Sequence, residues 1–219
     1  FFLRHFVPYF LYSRLLNRIN RKTSLRLRNF FFKLQGIYIK AGQFISVVGN
    51  IFAPELTTYL KDLQDHVTPR PYGQIKPSFL QHWGTLPEDA LGQFNPIPIA
   101  SASLGQVYTG YHQGQKVAVK VLYPDIQKII EKDLETLKTV LRLIELFFSG
   151  LELGMLYNEF TDMILKEIDF DYEKKHLTRL KDLLKHEKKV MIPAYIPELS
   201  KGSILVTEFI EGHKIDNLA

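Results

Sequence analysis

Cysteine is absent from all 219 residues, so disulfides and thiolate metal centres are excluded. No uncharged run approaches the ~20 residues that a helix needs to cross a bilayer. The seven histidines (His5, His66, His82, His112, His176, His186 and His213) show no ligand spacing, and they read as solvated or packing residues instead of a zinc site. Acidic residues are missing from the first 54 positions, which hold nine Lys and Arg. Phe1 stands where an initiator Met would be, so further residues upstream, including any targeting signal, are expected.

What is present supports a folded chain. A hydrophobic content of 46% is enough for one large or two small cores. Nine of the 28 basic residues fall in the acid-free stretch, leaving 19 against 23 acidic ones, a net charge of −4 for the remainder. The positive field is therefore N-terminal. In residues 1–24 it alternates with Phe1, Phe2, Phe6, Phe10, Leu11, Leu15, Leu16 and Ile19, the mix expected of a basic amphipathic arm on an anionic membrane or lipid, with residues 1–33 as the contact. So many apolar residues argue against nucleic acid. A helix packed on its own domain, with solvated arginines, is the alternative.

Leu27, Phe30, Phe31, Leu34, Ile37, Phe44 and Val47 recur at helical spacing, which places the stretch KAGQ (40–43) on a largely buried helix. A buried ammonium at Lys40 and a buried amide at Gln43 cost free energy unless partners meet them. Partners are thus predicted elsewhere in the chain. A second helix is expected over 55–66, ended by TPRP at 68–71, and a third over 73–83.

The period then changes to two. QVYTGYH (106–112) and KVAVKVL (116–122) read as a hairpin, within a group of two or three strands. From Pro124 a long helix is predicted with Ile126, Ile130, Leu134, Leu137, Leu141 and Ile144 on one face, followed by a second from about Met155 to Leu184. VMIPAYIPEL and SILVTEFIEG read as two more strands.

The chemistry-bearing stretch is PIASASLGQVYTGYHQGQKVAVK (98–120). In protein kinases a loop of pattern GxGxxGxV covers the ATP phosphates, and a lysine on the third strand pairs with them. The spacing here is right. Ala100, Ser101, Ala102 and Ser103 nevertheless replace the expected glycines, with Leu104 next and only Gly105 kept. A Cβ at each of those positions restricts positive φ and close approach of backbone to phosphate, so the loop should hold nucleotide differently from an ordinary kinase.

ASASLGQV resembles the alanine-rich loop, and KAGQ the KxGQ motif, of the UbiB/AarF/ADCK family of atypical kinase-like proteins. The segments GIYIKAGQFIS, ELTTYLKDLQDHVTPRP, PIASASLGQVYTG, VAVKVLYPDI, KEIDFDYEKKHL and LVTEFIEG follow in the family's order, covering residue 33 or so to the end. The resemblance implies an α+β fold: an arm at 1–24, a helical KxGQ extension at 25–92, and at 93–219 a kinase-like N-lobe with a helical insertion, ending at the hinge. The N-lobe would combine a small antiparallel sheet with long helices, and the C-lobe is not in this sequence.

By the same resemblance, Ala100 to Gly105, Val107, Ala118 and Lys120 bind nucleotide. Thr207 is the gatekeeper, and the backbone of Glu208 and Ile210 meets adenine. Spacing in ordinary kinases would pair Lys120 with Glu131 or Glu135. The family's pattern makes that helix an insertion and implies Glu173 as the partner, so Lys120 and Glu173 form the catalytic pair; Glu135, between Lys132 and Lys138, suits a solvated face. Glu167 and Asp169, an ExD motif, would face Lys40 and Gln43 and occlude the pocket. On a continuous helix Asp169 and Glu173 share a face while Glu167 lies about 200° from Asp169, so Glu167 is expected to make the Lys40 contact.

ATP or ADP and Mg are the implied cofactors. The catalytic-loop and DFG residues that hold Mg are expected after Ala219, and no metal ligand is assigned within 1–219. The implied function is an atypical kinase or ATPase of ubiquinone or other isoprenoid-lipid biosynthesis at membranes, with lipid-biosynthesis proteins as partners. A catalytically dead regulatory pseudokinase is the alternative. An active protein kinase is the second, disfavoured by the alanine loop and the occluding helix. The location implied is a bacterial cytoplasm or inner membrane, or a mitochondrion or plastid. Deleting residues 1–24 should reduce co-sedimentation with anionic liposomes; retained binding would make the arm structural.

Overall fold

The computed structural model describes residues 21–47, 58–60, 68–147 and 153–212. Most of the predicted arm, and the predicted 55–66 helix apart from its helical residues 58–60, lie outside these. The chain divides into two compact units, residues 1–68 with 125–165 and residues 69–124 with 166–219.

The first unit is helical. Helices α1 (Arg21–Leu34) and α2 (Ile37–Val47) are joined by Gln35 and Gly36, both with positive φ. Leu27, Phe30 and Phe31 of α1 bury with Ile39 of α2 and Leu60, and Tyr38, Ala41 and Ile45 complete the cluster. Lys40 and Gln43 are half-buried on α2. Later in the chain, α5 (Ile126–Phe147) buries Ile126, Ile130 and Leu134 at the predicted four-residue spacing. Helix α6 (Leu153–Glu167) buries Phe160 and Ile164, and Phe160 stacks 5.7 Å from Phe44. Burial raises the pKa of the half-buried Asp133 carboxyl; burial and then that charge raise the Tyr38 hydroxyl.

The second unit is a four-stranded antiparallel sheet in the order β1-β2-β3-β4: β1 (Gly92–Ser101), β2 (Gly105–His112), β3 (Gln115–Leu122) and β4 (Ile204–Glu208). The β2–β3 register pairs Val107 with Lys120 and Tyr108 with Val119. Successive side chains alternate between faces. Gln106, Tyr108, Val117, Val119 and Val121 are all buried, whereas Val107, Thr109, Ala118 and Lys120 on the other face are half-buried.

Helix α3 (Tyr72–Trp83) covers the closed face. Phe79 and Tyr72 of α3, Phe94 and Tyr108 form an aromatic cluster with centroids 5.5 to 6.3 Å apart. Burial pushes the Tyr108 hydroxyl up to about 12. Ser78 donates to the Leu122 carbonyl at 3.0 Å and the Trp83 indole to the Leu199 carbonyl at 2.8 Å, which fixes α3 along the sheet. The short α4 (Pro87–Ala90) leads into β1.

Three expectations are corrected. The small residues after Pro98 are not all loop, because Ala100 and Ser101 belong to β1 and pair with Val107 and Gln106. VMIPAYIPEL is not a strand: Tyr195 makes an isolated bridge to Thr207, flanked by the Ile196 amide on the Val206 carbonyl and the Glu208 amide on the Ala194 carbonyl, and Pro193 and Pro197 on either side have no amide with which to extend the ladder. The helix expected from Met155 to Leu184 is two helices, α6 and α7 (Phe170–Leu183), divided at Ile168 and Asp169.

That division has a physical cause. Ile164, Ile168 and Phe170 are all buried. Ile164 and Ile168 share a helical face, but a residue two further on points about 200° away. Asp169, at φ −96° and ψ 93°, leaves the helix, and its carboxylate caps α7 by accepting from the Tyr172 amide at 3.0 Å. Asp169→Ala should lower stability by about 1 kcal/mol, whereas Asp169→Asn should retain most of it. Urea denaturation measures both, and equal losses would show that capping is not what Asp169 contributes.

Candidate functional site

The half-buried face of β2 and β3 presents Val107 and Ala118, with Lys120 directly across from Val107. The Lys120 ammonium reaches the Glu173 carboxylate at 2.6 Å and lies 5.0 Å from the Phe170 ring centroid. The two charged side chains are 36% and 35% exposed, so the pair is open to an incoming group. A pair this solvated adds at most about 1 kcal/mol to stability. Its significance is geometric: a cation is held at a fixed place on the open face.

Helix α7 supplies Glu173 in its first turn, where the helix dipole favours a carboxylate. Lys174 anchors this turn by donating to the Ser200 carbonyl at 3.3 Å while pairing with Asp171 at 2.6 Å, and that bond holds the Asp171 carboxyl below its ordinary value. Ser200 in turn exchanges hydrogen bonds with the Val206 backbone at 3.1 and 3.0 Å, which ties the arrangement to β4. Glu131 and Glu135, the rival partners for Lys120, are exposed on α5 in the other unit.

Between β1 and β2 the chain reverses in a tight turn, closed by the Ala102 amide donating to the Gly105 carbonyl at 2.8 Å. Ser103 and Leu104 form its tip, and both are buried. None of Ala100 to Leu104 has positive φ, which is why alanine and serine are tolerated there. Gly105 is required for another reason: a Cβ on it would run into the Val121 carbonyl of β3. The retained glycine therefore serves strand packing.

The loop's polar groups are largely used internally. The Leu104 carbonyl accepts from the Tyr123 amide at 3.0 Å, and the Ala102 carbonyl from the Tyr123 hydroxyl at 3.2 Å. The Ser103 hydroxyl is buried with no hydrogen-bond partner among the described residues. An orphaned buried hydroxyl calls for a water or a ligand.

At the far end of the sheet, Thr207 pairs with Ala118 and shares its face. The Glu208 amide donates to the Ala194 carbonyl at 2.9 Å and its carboxylate accepts from the Ala194 amide at 2.9 Å. Of the Glu208 backbone groups, the amide is therefore spent, which leaves the carbonyl for a ligand. Ile210 follows at the exposed end of the described chain. Lys120, Glu173, the loop, Glu208 and Ile210 all belong to the second unit, which also holds Glu167 and Asp169, whereas Lys40 and Gln43 belong to the first.

The donor set suits an anionic ligand with an apolar body: a positioned ammonium, an orphaned hydroxyl and a small apolar floor of Val107 and Ala118. No group of three or more His, Asp or Glu side chains able to hold a metal occurs among the described residues. Three residues of the second unit were not singled out from the sequence: Arg70, Gln106 and Tyr123. Gln106 gave one signal, an amide on the face of β2 that alternation marks as buried.

Comparison with known proteins agrees with this architecture. A family described as the ABC1 atypical kinase-like domain matches residues 62–219. The chain is similar to a probable serine/threonine-protein kinase, abkD, of Dictyostelium discoideum, 35% identical over 184 residues that cover 84% of this chain and 26% of that protein. It is likewise similar to a probable protein kinase, UbiB, of Marinobacter nauticus, 30% identical, with 85% and 35% covered. The mitochondrial atypical kinase COQ8 of Saccharomyces cerevisiae is 29% identical, with 88% and 39% covered. The chain thus spans about a quarter to two fifths of these relatives. Among solved structures, the Rv3197–erythromycin complex of Mycobacterium tuberculosis matches with a TM-score of 0.54 at 24% identity, over 92% of this chain and 51% of that one, and shares the fold. With a kinase-like α+β architecture and a domain match over most of its length, the chain belongs to the ABC1 atypical kinase-like family.

Proposed function

We propose that this chain is the nucleotide-binding small lobe, with its helical extension, of an ATP-dependent atypical kinase or ATPase. The observation that carries the reading is the 2.6 Å pair between Lys120 and Glu173, on the same open face as Val107 and Ala118. In this reading the apolar side chains of Val107 and Ala118 form the floor under a purine, and the Glu208 carbonyl and Ile210 amide meet its edge. Lys120, oriented by Glu173, neutralises the phosphates. The Ser103 hydroxyl is a buried side-chain donor of the loop with no partner among the described residues, which suits a phosphate or a bridging water.

Mg-ATP would supply the transferable or hydrolysable phosphoryl group. Its metal ligands are expected outside residues 1–219. The rest of the reading comes from the family resemblance: lipid-directed or ATPase chemistry connected with ubiquinone or other isoprenoid lipids. The basic residues of α1, Arg21, Lys22, Arg26 and Arg28 among them, suit an anionic membrane.

In the full-length protein Lys120→Ala should weaken Mg-ATP binding at least about tenfold, the loss of one charge-assisted contact of about 1.5 kcal/mol or more. Glu173→Gln should weaken it less. Titration calorimetry measures both, and unchanged affinity in Lys120→Ala would overturn the nucleotide assignment of this face.

A further inference from the structure

Gln106 lies on the face of β2 opposite to Lys120, fully buried, and it uses its amide as if it were backbone. Its Oε1 accepts from the Arg70 amide at 2.7 Å, and its Nε2 donates to the Arg70 carbonyl at 3.3 Å and to the Tyr108 hydroxyl at 3.0 Å. The segment Pro69–Arg70, which as TPRP looks like nothing more than a helix stop, is thereby fixed to the sheet as a short extra strand would be. A buried amide with its groups matched is costly to disrupt, because removal of one partner leaves the others unpaired.

Fixing Arg70 has a consequence one step further on. Its guanidinium carbon sits 3.8 Å from the centroid of the Tyr123 ring, in cation–π contact. No carboxylate pairs with it among the described residues. Tyr123 is itself buried, and burial raises its hydroxyl pKa while the Ser101 bond and Arg70 oppose the rise. The hydroxyl lies 3.3 Å from the Ser101 Oγ and donates to the Ala102 carbonyl at 3.2 Å. A single relay satisfies both distances: Ser101 donates to Tyr123, and Tyr123 donates to Ala102.

We propose that Arg70 and Tyr123 are positioning residues that clamp the Ser101–Gly105 turn from the back of the sheet, and so pre-order it for nucleotide. This rests on the assignment of the open face to nucleotide. A glycine-rich loop would have to be ordered by its ligand; here the fold has already satisfied the Ala102 and Leu104 carbonyls and the Ala102 amide. Ordering that is complete before binding is not charged against affinity.

The test uses the full-length protein with Tyr123→Phe, which keeps the ring under Arg70 and removes only the relay. Two readouts are followed: hydrogen exchange of the 101–105 amides without ligand, and the Kd for Mg-ATP, with Tm as a control. The expected result is faster exchange confined to 101–105 and a Kd raised about three- to tenfold at unchanged Tm, the cost of ordering a few residues on binding. Arg70→Ala should do the same, and Arg70→Lys, which keeps a cation over the ring, should fall nearer the parent protein. Unchanged loop exchange in both Tyr123→Phe and Arg70→Ala overturns the clamp. If exchange rises but Kd does not while Lys120→Ala still weakens binding, the positioning role is overturned and the nucleotide assignment stands. If the parent protein binds no Mg-ATP, that assignment fails, and the exchange result still decides whether the turn is clamped.

Discussion

A hairpin that alternates with period two must find something for each of its faces, and the second unit is organised by how it does so. One face of β2 and β3 is closed by α3 and an aromatic cluster around Tyr108. The other is left half open, and directly across from Val107 on that face stands a lysine with a carboxylate 2.6 Å away. Closing both faces would have given a sturdier domain with no site. The many contacts behind the sheet, from the Ser78 hydroxyl to the Trp83 indole, compensate for the face that stays exposed.

Much of this was legible because it follows local rules. Period-two alternation marks the strands, and four-residue spacing marks Ile126, Ile130 and Leu134 as one buried face. Lys120 and Glu173 lie 53 residues apart, and no periodicity joins them; a family resemblance supplied that pairing, and the fold brings the two together. The break at Asp169 was hidden because every residue from Met155 to Leu184 is compatible with a helix. It follows from the burial of Ile168 together with Phe170, a tertiary fact.

Gln106 and Arg70 show a different limit. The logic that made Lys40 and Gln43 conspicuous, a polar group where burial is expected, applies equally to Gln106. Its partner is the backbone of a residue 36 positions earlier. Backbone groups have no sequence identity, so composition cannot point to them. Gly105 is the converse case: a glycine in a phosphate-loop position invites a reading about the ligand, while the space beside it is filled by the Val121 carbonyl.

The interruption between α6 and α7 also bears on how this architecture can vary. In a continuous helix, one inserted residue upstream would turn everything after it by about 100° and swing Glu173 away from the sheet. Because Asp169 restarts the helix with its own cap, the phase of α7 is counted from Asp169 and not from the start of α6. Helices α5 and α6 can therefore lengthen, shorten or be recomposed over generations while the spacing of Asp169, Phe170 and Glu173 alone preserves the carboxylate's aim.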